Sequence, residues 1–187
     1  MDCGCDCSHS SKFKTMSYIV VDVESDGPLL GVNSMVCFGA VVVRPGLADT
    51  FYGKTRPLTR TYDPSALAVS GFTRDEHKEF DDPGEVMADF GEWVELQSVN
   101  RPVLISDNNG YDASWINYYF HRFMGKNPFG FSSRRIGDLY CGLVKDAQAQ
   151  WKFLRKTTHD HNPVNDAKGN AEALLAMQDL GLKIKFV

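Results

Sequence analysis

Residues 17–27, SYIVVDVESDG, decide the fold of this chain. The β-branched and aromatic side chains from Tyr18 to Val23 predict a β-strand, and apolar residues on both of its faces place it inside a covered sheet. Asp22 and Glu24 stand two positions apart in this strand, so their side chains point to the same face. At about 4 Å and an effective dielectric near 20 they repel by roughly 4 kcal/mol, and a hard divalent cation between them turns that repulsion into attraction. The alternative is that the strand ends at Asp22 and both acids face water.

Length and composition indicate a single soluble domain. The 187 residues allow a large core, and 43% hydrophobic with 24% charged residues is ordinary for a globular protein. No apolar run approaches the ~20 residues of a membrane helix and no signal-peptide core opens the chain, which predicts a cytoplasmic protein without membrane contact. The net charge of -4 argues against a grip on long duplexes, but it allows a small site for a strand end.

The N-terminus has an unusual group of cysteines. Cys3, Cys5 and Cys7 form a C-x-C-x-C run, with His9 following. One interpretation is a zinc or other soft-metal site, although the spacing is tighter than the usual C-x2-4-C pair. The other, which we favour, is that residues 1–15 form a disordered tail and that residues 16–187 form the folded domain.

The remaining pattern predicts an α/β fold in which a mixed sheet is flanked by helices. Three strands, joined by short connections, come first and predict an antiparallel meander. Helices alternate with a further strand after that. The predicted strands are residues 17–24, 35–43, 50–54 and 102–106, and the predicted longer helices are residues 84–96, 112–124, 136–146 and 166–180.

Two further acids stand where predicted helices begin. Asp112 follows the strand PVLIS, and Asp166 opens the last helix, with His161 five residues before it. Such junctions are where α/β folds build their sites. N-capping of the helix is the alternative role for each acid, and a solvent-exposed loop position is the alternative for the histidine.

Three motifs in this order resemble the DEDDh 3′–5′ exonucleases of the ribonuclease H-like superfamily. They are VVDVESDG with Asp22 and Glu24, SDNNGYDASWINYYF with Asp112, and HNPVNDAKGNAEAL with His161 and Asp166. The resemblance extends from Met16 to about Leu180. The third motif is most similar to a branch of small phage and bacterial exoribonuclease-like proteins.

The resemblance implies a ribonuclease H-like sheet and a metal-dependent 3′–5′ exonuclease. The four acids would hold two Mg²⁺ or Mn²⁺ ions, His161 would act as general base, and nucleoside 5′-monophosphates would be released from single-stranded 3′ ends. RNA is the expected substrate. The alternatives are DNA as the substrate, or a catalytically silent nucleic-acid-binding domain, which predicts the loss of at least one acid. A homodimer is also implied, and Trp93, Phe131 and Trp151 are candidates for either its interface or the core.

The substrate contacts are less determined. Many family members have Thr-Thr or Thr-Gly after the motif glutamate, where this chain has Ser25-Asp26-Gly27. Ser25 is a candidate substrate contact, Asp26 is expected to add an acid beside the site, and Phe38 and Tyr111 are candidates to stack on the terminal base. His159 competes with His161 for the catalytic role. The expected phosphate contacts, each of which is alternatively part of a solvated basic face, are Arg134, Arg135, Lys152, Arg155 and Lys156.

Overall fold

Five strands form one mixed sheet in the order β3-β2-β1-β4-β5. A computed structural model describes residues 16–184, so the predictions for residues 1–15 lie outside the described part. None of the helices in that part is long and apolar enough to span a bilayer. The strands are β1 Ser17–Ser25, β2 Met35–Val42, β3 Thr50–Lys54, β4 Pro102–Ser106 and β5 Ser133–Arg135; the α-helices are α1 Pro64–Val69, α2 Arg74–Lys78, α3 Pro83–Leu96, α4 Asn109–Met124, α5 Ile136–Val144 and α6 Pro163–Asp179, and Lys152–Leu154 is a 3₁₀ helix.

The central strand β1 is covered on both faces, as its sequence predicts. Because side chains alternate along a strand, Ile19 and Val21 pack with α3 and α4, whereas Val20 packs with α5 and α6. Asp22 lies two positions after Val20 in the strand, so its side chain points to the same face, which is the α6 side of the sheet. The predicted antiparallel meander β1-β2-β3 is confirmed, and β4 runs parallel to β1.

A glycine on β2 lets α6 approach the sheet. Gly39 pairs with Asp22 in the β1-β2 register. A Cβ at Gly39 would lie 2.3 Å from the backbone of Pro163 and Val164, so the close approach requires a residue without a side chain. This contact places the first turn of α6, which contains Asp166, directly over Asp22.

Three details differ from the sequence prediction. The short strand β5 is not among the predicted strands, because three residues with two arginines give no apolar pattern. Helix α4 begins at Asn109 rather than Asp112. Helix α6 begins at Pro163, with Asn162 as its cap, rather than at Asp166. N-capping by either acid is therefore wrong: both lie inside the first turn, and their carboxylates are available for another role.

Asp26, the last acid of the first motif, does not join the site. Asp26 is fully buried, and its Oδ2 lies 2.6 Å from Arg74 Nη1. Its Oδ1 accepts the backbone N–H of Ser34 at 2.5 Å, and Arg74 also donates to the carbonyl of Thr59 at 2.6 Å. The expectation of an additional acid beside the site is wrong: Asp26 anchors the β1-β2 loop to α2.

We expect Arg74→Met to lower the free energy of unfolding by about 3–5 kcal/mol, because it leaves the buried charge of Asp26 without its partner. Arg56→Met is the matched control, since Arg56 pairs with Asp82 at the surface, where a pair contributes about 0–1 kcal/mol. Urea unfolding measures both variants. Equal losses in the two would contradict the anchoring role of Asp26.

Candidate active site

A cavity of about 200 Å³ opens where β1 and β4 end at the same edge of the sheet. The chain enters it from β1, from the β4-α4 connection, and from the segment that leads into α6. Polar and charged side chains predominate in its lining, which is Asp22, Val23, Glu24, Val69, Asp107, Asn108, Tyr111, Asp112, Lys152, Arg155, His159, His161, Asp166 and Asn170.

The four acids singled out in the sequence all meet in this cavity. Asp22, Glu24 and Asp166 each offer a carboxylate oxygen, and these three oxygens lie within 4.8 Å of one another. Asp112 is 3% exposed, and its Oδ2 is buried without a hydrogen-bond partner. Such an orphaned oxygen is costly unless it meets a ligand.

Burial and mutual repulsion shift the protonation of these acids. Burial raises the pKa of Asp22 well above its usual value, and Asp112, Asp166 and Glu24 raise it further. Burial also raises the pKa of Asp112 to about 7, against hydrogen bonds from the Ser106 hydroxyl and the Val23 backbone amide. The pKa of Glu24 is raised by burial, and His161 opposes that shift. A cluster of this kind stores repulsion that bound positive charge can relieve.

The donor set fits hard divalent cations. Every ligand candidate among the four acids is a carboxylate oxygen, the type that Mg²⁺ and Mn²⁺ prefer. The unpartnered Oδ2 of Asp112 points to the same requirement. The residues present therefore suit a divalent ion, as DEDDh exonucleases would need.

Both histidines reach the cluster. His159 Nδ1 lies 2.5 Å from Asp166 Oδ2, and His161 Nδ1 lies 3.5 Å from Glu24 Oε1. The His161 backbone N–H also donates to Asp166 Oδ2 at 3.1 Å, and His161 has a left-handed backbone, with φ of 60°. Because both rings are about half exposed, position alone does not separate their roles.

The structure buries two of the three candidate substrate contacts. Phe38 is fully buried and packs against Phe51 and Phe90 in the core, with ring centroids 5.7 and 4.8 Å away. Ser25 is also buried; its hydroxyl donates to the Gly27 carbonyl at 2.5 Å and is bonded to the Tyr111 hydroxyl. Neither side chain is open to a ligand.

Tyr111 lines the cavity, and it remains a candidate. Its hydroxyl is tied to Ser25, and burial raises its pKa, so the phenol stays protonated. The ring is thus held at the cavity wall in a fixed orientation, as a stacking platform requires.

The predicted phosphate contacts separate into two groups. Arg155 belongs to the acid cluster, with its side chain 8% exposed and Nη2 2.8 Å from Asp166 Oδ1. Lys152 lines the cavity mouth and pairs with Asp107 at 2.8 Å. The others are exposed, and they are Arg134, Arg135 and Lys156.

The sequence analysis does not identify Asn170 as a site residue, and it does not place Arg155 beside Asp166. Asn170 lies four residues after Asp166, hence on the same face of α6, and its Oδ1 is buried without a partner. That spacing is a signal that sequence reasoning could have used. Arg155 offers none, because it reaches Asp166 from an irregular segment.

Comparison with known proteins gives relatives over nearly the whole chain. The chain is 32% identical over 182 residues to the 3′–5′ DNA exonuclease Cap18 of Escherichia coli. The matched region covers 90% of this chain and 95% of that protein. It is 24% identical over 169 residues to the PolC-type DNA polymerase III of Bacillus subtilis (strain 168), of which it spans 11%. No family model matches the chain.

Solved structures share the fold. The nuclease domain of 3'hExo, a DEDDh family member bound to rAMP, superimposes with a TM-score of 0.74 at 18% identity, covering 91% of this chain and 96% of that one. The zinc-bound E. coli ExoI–ssDNA complex gives 0.63 at 18% identity, over 89% of this chain and 40% of that one. With a full-length exonuclease relative at 32% identity and the four acids gathered in one cavity, the chain belongs to the DEDDh 3′–5′ exonucleases of the ribonuclease H-like fold.

Proposed function

We propose that this exonuclease uses Mg²⁺ or Mn²⁺ to remove nucleoside 5′-monophosphates from single-stranded DNA 3′ ends. The observation that carries the proposal is the meeting of Asp22, Glu24 and Asp166 oxygens within 4.8 Å, beside the unpartnered oxygen of Asp112. DNA is placed first because the relative at 32% identity is a DNA exonuclease. The preference for RNA stays a prediction and is the second candidate, supported by the resemblance of the third motif to exoribonuclease-like proteins.

Two divalent ions, held by Asp22, Glu24, Asp112 and Asp166, would supply the charge that activates water and stabilises the leaving 3′ oxygen. His161 is then the general base, since a half-exposed imidazole beside Glu24 can accept a proton from the attacking water and pass it to solvent. Tyr111 and Val69 line the same cavity as the acids and would contact the terminal nucleoside.

The basic residues outside the cluster would hold the strand upstream of the end. Lys152 stands at the cavity mouth, and Arg134 and Arg135 follow along β5. The chain has a net charge of -4 and few such phosphate contacts. We therefore expect the protein to bind only the last few nucleotides of the strand. The cytoplasmic location and the homodimer stay predictions; of the three aromatic candidates for an interface, Phe131 is 93% exposed, Trp151 is buried and Trp93 packs on the core.

We expect linear single-stranded oligonucleotides, labelled at the 5′ end, to be shortened one nucleotide at a time in Mg²⁺ or Mn²⁺, because the proposed reaction removes one 5′-monophosphate at each cleavage of a 3′ end. Matched DNA and RNA of one sequence decide the substrate, and mass analysis of the product identifies the 5′-monophosphate. The circular form of the same strand is the control. If the circle is cut as fast as the linear strand, the protein is an endonuclease and the proposal fails.

A further inference from the structure

A permanent cation stands inside the carboxylate cluster. Arg155 Nη2 lies 2.8 Å from Asp166 Oδ1, and both side chains are buried, at 8% and 1% exposure. A guanidinium cannot lose its proton in a protein, so it remains charged next to the acids at any working pH. The guanidinium thus contacts one of the proposed metal ligands, although its charge repels a divalent cation.

The position of Arg155 is fixed by two features of α6. The carboxylate of Glu172 accepts the backbone N–H groups of Lys156 and Thr157 at 2.8 and 2.7 Å, which anchors the segment that carries Arg155. Gly169 leaves room for the guanidinium, because a Cβ there would lie 2.5 Å from Arg155 Nε. The ion pair is therefore a built contact and not a loose surface pair.

The other oxygen of Asp166 is held differently. Its Oδ2 accepts the backbone N–H of His161 at 3.1 Å and contacts His159 Nδ1 at 2.5 Å. The first contact comes from the backbone, whereas the second comes from the His159 side chain, which is about half exposed. Each carboxylate oxygen has two lone pairs, so these two contacts fill Oδ2, whereas Oδ1 is held by Arg155.

We propose that Arg155 is a positioning residue that holds Asp166 through Oδ1 and, by its positive charge, weakens the affinity of the four acids for divalent ions. His159 would have to leave Oδ2 for an ion to bind there. The proposal rests on the metal site of the proposed function. Arg155 also acts as the counter-ion of Asp166 before the metal binds, which lets four acids share one cavity.

The test is Arg155→Met, with Mn²⁺ binding measured by calorimetry and melting measured with EDTA and with Mn²⁺. Loss of the positive charge is expected to tighten Mn²⁺ binding about tenfold, since like charges this close repel strongly, while the EDTA form melts lower. Because the stability that a ligand adds increases with its affinity, the melting shift on adding Mn²⁺ grows. A merely structural role lowers both melting points equally and leaves the dissociation constant unchanged, which would overturn the proposal.

Three further variants make the result decisive. Gly169→Ala displaces the guanidinium from Oδ1 but leaves its charge in the protein, so it is expected to tighten Mn²⁺ binding less than Arg155→Met does. If Arg155→Met does not fold, Gly169→Ala serves as the test in its place. Arg155→Lys keeps the charge and is expected to stay within about threefold of the parent. Arg44→Met, at an ion pair with Asp49 on the opposite edge of the sheet, is the neutral control. Weaker or unchanged Mn²⁺ binding in folded Arg155→Met and Gly169→Ala overturns the proposal, whereas absence of Mn²⁺ binding in the parent protein overturns the metal site itself.

Discussion

Asp22→Asn is expected to abolish cleavage in Mg²⁺ and in Mn²⁺ while leaving the fold intact. Burial is the largest cause of the raised pKa of Asp22, and the charges of the other three acids, Asp112, Asp166 and Glu24, raise it further. An asparagine offers one neutral oxygen where the aspartate offers a charged carboxylate, which hard divalent cations prefer. The variant is therefore expected to bind the metal too weakly for cleavage. Single-turnover cleavage of a labelled strand measures the loss. Full activity of this variant in Mg²⁺ would contradict the assignment of the acids as metal ligands.

The same variant should be more stable than the parent protein when metal is removed. The folded pKa values of Asp22, Glu24 and Asp112 all lie above their ordinary values, with that of Asp112 near 7. A carboxyl whose pKa is raised on folding favours the folded state below its unfolded pKa, near 4, and loses that contribution as pH rises through its folded pKa. The gain from Asp22→Asn is therefore expected to be small at pH 4 and large at pH 8.

Urea unfolding in EDTA at the two pH values measures this difference. Asp49→Asn is the control, because Asp49 is an exposed acid paired with Arg44 at the opposite edge of the sheet. In saturating Mg²⁺ the order reverses, since only the parent protein keeps the full ligand set and gains stability by mass action. A variant less stable than the parent in EDTA at pH 8 would show that repulsion in the cluster is not what limits stability.

Local rules predict the centre of this fold well. The alternation of apolar side chains in β1 identifies a strand covered on both faces, and the period of two places Asp22 and Glu24 on one side. The motif around Asp112 and the run that ends at Asp166 identify the other two acids. Each of these signals lies within about a dozen residues, so a single sequence carries it.

The sequence fails where a side chain's partner lies far along the chain. Phe38 and Phe51 belong to adjacent strands whose pairing only the fold defines. Asp26 meets Arg74 across 48 residues, and a sequence shows two charges but not their contact. Arg155 looks like any surface arginine until Gly169 opens a space for it beside α6. Tertiary contacts of this kind decide whether an acid or a base serves the site or the framework.

The remaining large effect concerns the choice between the two histidines, whose ring centroids are 4.5 Å apart. His161 is held in the left-handed backbone region, which costs about 1 kcal/mol or more for a residue other than glycine. Such strain persists where the surrounding structure imposes it and is concentrated at functional sites. It turns the His161 backbone N–H toward Asp166 and its ring toward Glu24, whereas His159 occupies an oxygen that metal would take.

We therefore expect His161→Asn to lower turnover by roughly 10²- to 10⁴-fold, the usual cost of losing a general base, with little change in Mn²⁺ affinity. Asparagine tolerates the left-handed backbone, so this variant removes the imidazole without releasing the loop. His159→Asn is the matched control; it is expected to retain most of its turnover, because its ring leaves Asp166 when metal binds. Single-turnover rates at saturating Mn²⁺ compare the two. A greater loss at His159 would reverse the assignment and make His159 the base.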